Sequence, residues 1–129
     1  MKIFVSFAAA AGLFLISSSV AAQDISGRWS GFGKAKIASS GKMESFRCRV
    51  AYDRQTSRVF AVRAVCANPS VRIVQNGTVL KVRRNTFVGE LYNQEFDVRG
   101  RVRVVVAGNR QTVTIRASEG SGSIRLKRR

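Results

Sequence analysis

From Ile25 to Ile37 the chain reads Ile-Ser-Gly-Arg-Trp-Ser-Gly-Phe-Gly-Lys-Ala-Lys-Ile, and its side chains alternate in kind. Odd positions carry Ile25, Gly27, Trp29, Gly31, Gly33, Ala35 and Ile37, while even positions carry Ser26, Arg28, Ser30, Lys34 and Lys36. Only an extended strand turns a period of two into one dry and one wet face, so this stretch is predicted to be a strand. Phe32 is the exception, an aromatic ring on the wet side. The same period recurs in the segments that follow, which makes the expected fold all-β.

Glu44 to Tyr52 is the second predicted strand, with Phe46, Cys48, Val50 and Tyr52 on one face. Asp53 to Ser57 reverses the chain, and Arg58 to Cys66 forms the third strand, with Phe60, Val62, Ala64 and Cys66 on one face. Asn68-Pro69 is a break, and parity tests the remainder. A two-residue turn at Asn76-Gly77 sets Ile73 opposite Leu80 and Val71 opposite Val82. Turns at Arg84-Asn85, Asn93-Gln94, Gly108-Asn109 and Glu119-Gly120 pair Val82 with Phe87, Leu91 with Phe96, Val104 with Val113 and Ile115 with Ile124. Each pair is apolar with apolar, whereas a one-residue slip would throw every set onto the opposite face. The expectation is a single antiparallel meander of about eight to nine strands, closed into a round or flattened barrel that leaves no exposed edge. Arginine and lysine crowd its outward face, where a membrane-spanning barrel needs an apolar band.

Ahead of the barrel, Met1 to Ala22 has the layout of a secretory signal peptide: a charged start at Lys2, an apolar run from Ile3 to Ile16 and a small-residue end, Val20-Ala21-Ala22. Cleavage after Ala22 would leave residues 23–129 as one barrel domain of 129 − 22 = 107 residues, with a formal charge of 16 − 1 = +15. Export places Cys48 and Cys66 in an oxidising compartment, and both project from the apolar faces of successive strands, so they are expected to form a disulfide. The chain has no histidine, and two cysteines alone do not close a tetrahedral metal shell. No metal or other cofactor is expected.

Gly27-Arg28-Trp29 near the expected mature start resembles the Gly-x-Trp motif of lipocalins and their relatives. With Cys48-Arg49-Val50, the second cysteine at 66 and the closing run Gly122 to Arg128, the chain is similar to the small periplasmic barrels that inhibit bacterial alkaline-type metalloproteases. The resemblance implies a calycin-like barrel plugged at one end by Trp29, and a protease as a partner reached through the segment before Ile25. Only Gln23 and Asp24 precede Ile25 in the expected mature chain, and the further tryptophan common in those inhibitors is absent.

The inward face offers no acid, base or hydroxyl nucleophile apart from Tyr52, so no catalytic constellation is expected and the chain is read as a non-enzyme. Gly31, Gly33, Gly89 and Gly100 fall on that face, where they either bend strands at barrel corners or leave a cavity for a small apolar ligand. On the outward face, Arg99, Arg101 and Arg103 follow one strand, Arg101 lies opposite Arg116, and Arg125 and Lys127 continue the patch. Like charges directly opposite across a ladder are destabilising, which marks these six as a candidate anion-binding patch. The expected partner is an anionic envelope lipid or polysaccharide, or an acidic protein surface. Nucleic acid fits less well, because the outward arginines lack the interleaved aromatics on which bases stack.

Overall fold

The structure is a computed structural model that describes residues 3, 8–15 and 24–129. The charged start at Lys2 and the cleavage point at Ala22 of the expected signal peptide lie outside the described residues. Eight strands follow in order: β1 (Gly27–Ile37), β2 (Met43–Arg54), β3 (Val59–Ala67), β4 (Arg72–Arg83), β5 (Thr86–Asn93), β6 (Val98–Ala107), β7 (Arg110–Ala117) and β8 (Gly120–Arg128). Each pairs antiparallel with the next, and β8 returns to β1, so the meander is a closed barrel without an edge. Among the described residues no helix is long and apolar enough to cross a membrane.

Inward residues of all strands meet in one core, which includes Trp29, Tyr52, Phe60, Val79, Phe87, Val104 and Leu126. Phe60 and Phe87 pack edge to face with ring centres 5.4 Å apart, a geometry that aligns the positive ring edge with the negative ring face. On β2 and β3 the predicted faces hold, and Cys48 sits directly opposite Cys66 with a disulfide between them. Labelling of free thiols in the denatured, unreduced protein should therefore find none. Reduction, or paired replacement by alanine, should remove about 3 kcal/mol of stability by freeing the loop between residues 18 positions apart.

The register of β4 corrects the predicted hairpin. Asn76-Gly77 is not a turn but the middle of one 12-residue strand. A Cβ on Gly77 would lie 1.9 Å from the Glu90 carbonyl oxygen, so this glycine lets β5 approach closely. The strand count is accordingly eight. With no reversal there, Val79 takes the core position, while Leu80 and Val82 turn outward at 46% and 48% exposure. A bulge between Lys81 and Arg83 pairs Lys81, not Val82, with Phe87. Leu91 pairs with Gly100 instead of Phe96, because the β5–β6 connection is a longer loop. In that loop the Phe96 N–H donates to Asn93 Oδ1 at 2.8 Å, and Asp97 adopts a left-handed φ of 50°. Val104 pairs with Val113 as expected, and Ile124 also pairs with Val113, two residues from its predicted partner Ile115 but on the same face.

A basic wall between a plugged end and an open end

Trp29 closes one end of the barrel. Its side chain is fully buried, and its Nε1–H donates to the Ile25 carbonyl at 2.9 Å, which draws the segment before β1 across the opening. Arg128, opposite Trp29 across the β1–β8 seam, lays its guanidinium 4.4 Å from the indole centre. It also donates to the carbonyls of Ser26 at 2.8 Å and Asp24 at 2.6 Å. Partial burial works to raise the Asp24 pKa, but the hydrogen bond from the Ser26 N–H and the charges of Arg54 and Arg128 outweigh it and hold the carboxyl below its ordinary value. Beneath this lid the Tyr52 hydroxyl donates to Gln111 Oε1 at 2.6 Å. Burial pushes the Tyr52 phenol well above the usual tyrosine range, so it stays a neutral donor and offers no base.

At the other end the barrel opens into a cavity of about 180 Å³. Phe46, the Cys48–Cys66 pair, Ile73, Ile115 and Ile124 form its apolar wall, with Gln75 and Glu119 among its polar lining groups. Of the glycines expected to leave room for a ligand, Gly33 borders this cavity. Gly31 and Gly89 do not. A Cβ on either would meet a carbonyl oxygen of the neighbouring strand at 1.9 Å, and one on Gly100 would meet the Ile115 side chain at 3.1 Å. A Cβ on Gly33 would likewise lie 2.6 Å from the Ser123 carbonyl oxygen, so all four mark close packing rather than space. Ile73, Gln75 and Ile115, which do line the cavity, carry no signal in the sequence beyond their inward parity.

Outside, the structure divides the six predicted cations into two groups. Arg101 and Arg116 are paired as expected, but Glu90 stands across from Arg101 on the other side. Arg99 lies over the Tyr92 ring at 4.8 Å, and the Tyr92 hydroxyl donates to Asp97 at 2.9 Å, so acids stand close to this group. The hydrogen bond to Asp97 raises the Tyr92 pKa. Arg103 pairs with Thr114, and Thr114 with Ser123, so on β7 and β8 two hydroxyl residues part Arg101 and Arg116 from Arg125 and Lys127.

Arg125 and Lys127 belong to a different set. Closure of β8 on β1, and of β1 on β2, aligns Thr112, Arg125, Phe32 and Arg47 on one row across four strands. The next row runs Arg110, Lys127, Ser30 and Arg49. With Arg129 alongside, six cations surround one shallow hollow whose lining includes no acid. Strands β1, β7 and β8 contain no aspartate or glutamate, and those of β2 stand near its ends, at Glu44 and Asp53. Arg47, Arg49, Arg110 and Arg129 carry no joint signal across any single hairpin, because this set forms only when the last strand meets the first. Its signal was Phe32, whose ring is 65% exposed with the Arg47 guanidinium 5.2 Å from its centre. An aromatic ring does therefore stand among outward arginines, contrary to the expectation.

No family model matches the sequence, and no curated protein matches it. Solved structures do. The redesigned β-barrel mFAP1, bound to DFHBI, aligns with a TM-score of 0.67 at 11% identity, covering 80% of this chain and 94% of that one. A de novo designed fluorescence-activating β-barrel aligns with a TM-score of 0.63 at 17% identity, covering 84% and 97%. Another redesigned β-barrel gives 0.64 at 11% identity, covering 81% and 90%. At these identities the likeness is one of fold. The class it defines is an eight-stranded, closed antiparallel meander barrel.

Proposed function

We propose that this chain is a non-enzymatic, exported binding protein, periplasmic or secreted, whose basic outer wall engages an anionic envelope component or an acidic protein surface. The observation that carries this reading is the hollow around Phe32, where Arg47, Arg49, Arg110, Arg125, Lys127 and Arg129 converge without an acid. Uncompensated like charges raise the energy of the folded state and lower that of a complex with an anion. The disulfide fits an oxidising compartment.

Replacing Arg49, Arg110 and Lys127 together by glutamine should weaken binding to anionic lipid or polysaccharide about 100-fold at low salt, at roughly 1 kcal/mol per cation. The salt dependence of binding should fall with it. Replacing Arg99, Arg101 and Arg103 removes the same charge beside Glu90 and Asp97 and should cost far less. Equal losses in the two variants would mean that net charge alone attracts the partner.

The cavity at the open end supports a second reading, a carrier of a small apolar ligand, and mFAP1 is a barrel of like fold with a small molecule bound. Native mass spectrometry of protein purified from its own host tests it, with added ligand mass expected. Protease inhibition, which the resemblance implies, needs a segment before Ile25 that is free to enter a cleft. Arg54 and Arg128 hold Asp24 against the barrel, so the geometry lends that reading no support.

A further inference from the structure

We propose that the basic wall is a membrane-surface site, in which Phe32 enters the interfacial layer of an anionic bilayer while Arg47 and Arg125 take lipid phosphates on either side of it. This rests on the anionic-partner reading above and names the partner. Phe32 lies between Gly31 and Gly33, and a Cβ on either glycine would run into the backbone of β8, at the Arg125 or Ser123 carbonyl oxygen. The sheet is pinched at this seam, and the phenyl ring stands outside it, 65% exposed. It forms the ridge between two shallow hollows, one flanked by Arg49, Arg110 and Lys127, the other by Lys34, Ser45 and Pro69.

A purely electrostatic partner has no use for an exposed phenyl ring. A bilayer surface does, because it offers an apolar layer directly beneath a layer of anionic phosphates, the one suited to the ring and the other to the guanidinium groups beside it. Arginine and lysine stems can lie along the interface while their heads stay with the phosphates. A single strand of nucleic acid calls for successive stacking platforms, and this wall presents one ring, already flanked by Arg47. The acids are placed to fit. Glu44, Glu95, Asp97 and Glu119 stand toward the open end, Asp24 and Asp53 toward the plugged end, and Glu90 on β5, four strands from β1 in either direction around the barrel. The barrel would thus lie on its side, with β8, β1 and β2 against the membrane.

The test is a Phe32→Trp variant, whose new indole reports from the ridge while Trp29 stays buried and unresponsive. Vesicles of phosphatidylcholine with phosphatidylglycerol should shift its emission to the blue, and brominated lipids should quench it; pure phosphatidylcholine vesicles should do neither. Phe32→Ala should lower affinity for the anionic vesicles about tenfold with its salt dependence unchanged, whereas Arg47→Gln with Arg125→Gln should reduce that dependence. If Phe32→Ala binds the vesicles as the parent does and Trp at position 32 gives no shift, the face binds charge only; the inference falls and the anionic-partner reading stands. An equal shift with a soluble anionic polysaccharide or a single-stranded oligonucleotide would assign the ridge to a polymer and overturn the bilayer. Absence of binding to any of these anions would remove both.

Discussion

Trp29→Ala should lose about 3–5 kcal/mol of unfolding free energy in urea, the range for deleting a fully buried aromatic side chain. For a domain whose whole stability is on the order of 5–15 kcal/mol, that leaves it marginal or unfolded at 37 °C. The loss has three physical parts here. The largest is the cavity under the lid, next to Tyr52 and Gln111, which the short segment before β1 cannot collapse to fill. The second is the Ile25 carbonyl, which loses the indole N–H that satisfies it. The third is the Arg128 guanidinium, which loses the ring beneath it while still holding the Ser26 and Asp24 carbonyls. Trp29→Phe separates these, since it keeps most of the buried area and removes the hydrogen bond, and should cost about 1–2 kcal/mol beyond the lost ring area. Should Trp29→Ala unfold within 1 kcal/mol of the parent, the ring does not close the barrel in solution.

The residues explain why some of this architecture is legible in the sequence and some is not. Parity alone places Phe46, Cys48, Val50, Tyr52, Phe60 and Val62 on the inside, because a strand offers each residue only two faces and the core accepts one kind. It also survives errors in register, as the two-residue shift of Ile124 shows. What parity does not separate are the two uses of glycine. Asn76-Gly77 has the composition of a type I′ turn, but Gly77 is extended and serves the close approach of β5, a need that arises only once the barrel has curved. The site is hidden for a related reason. Arg47 and Arg49 lie about 80 residues before Lys127 in the chain and come near it only through β1, so their grouping follows from barrel closure and from no local pattern. Phe32 is where the closed barrel is visible locally, as the single residue on the wet face of β1 that does not belong in water.

Gly31→Ala should destabilise the protein by about 3 kcal/mol or more, the upper range for an added group that its surroundings do not yield to. The new Cβ would lie 1.9 Å from the Arg125 carbonyl oxygen, 2.9 Å from its carbonyl carbon and 3.0 Å from the Leu126 Cα, all of them backbone atoms of β8. Nothing there can rotate away, so β1 and β8 must part, and theirs is the seam that closes the barrel. Gly100→Ala is the contrast. Its Cβ would meet the Ile115 Cγ2 at 3.1 Å, the end of a side chain that can shift by a few tenths of an ångström. Alanine also holds an unfolded chain less freely than glycine, an offset of about 0.5–1 kcal/mol, so Gly100→Ala should fall within about 1 kcal/mol of the parent. Chemical denaturation of the two variants side by side measures the gap. The alternative, that inward glycines exist to leave room for a ligand, predicts the opposite ordering for Gly31, because a methyl group in open space costs nothing and stiffens the unfolded chain. A Gly31→Ala protein as stable as the parent would therefore return the interior to the ligand. A large loss together with weaker binding to anionic vesicles would tie the seam to the wall it builds, since Arg125 and Phe32 are neighbours only while β8 lies against β1.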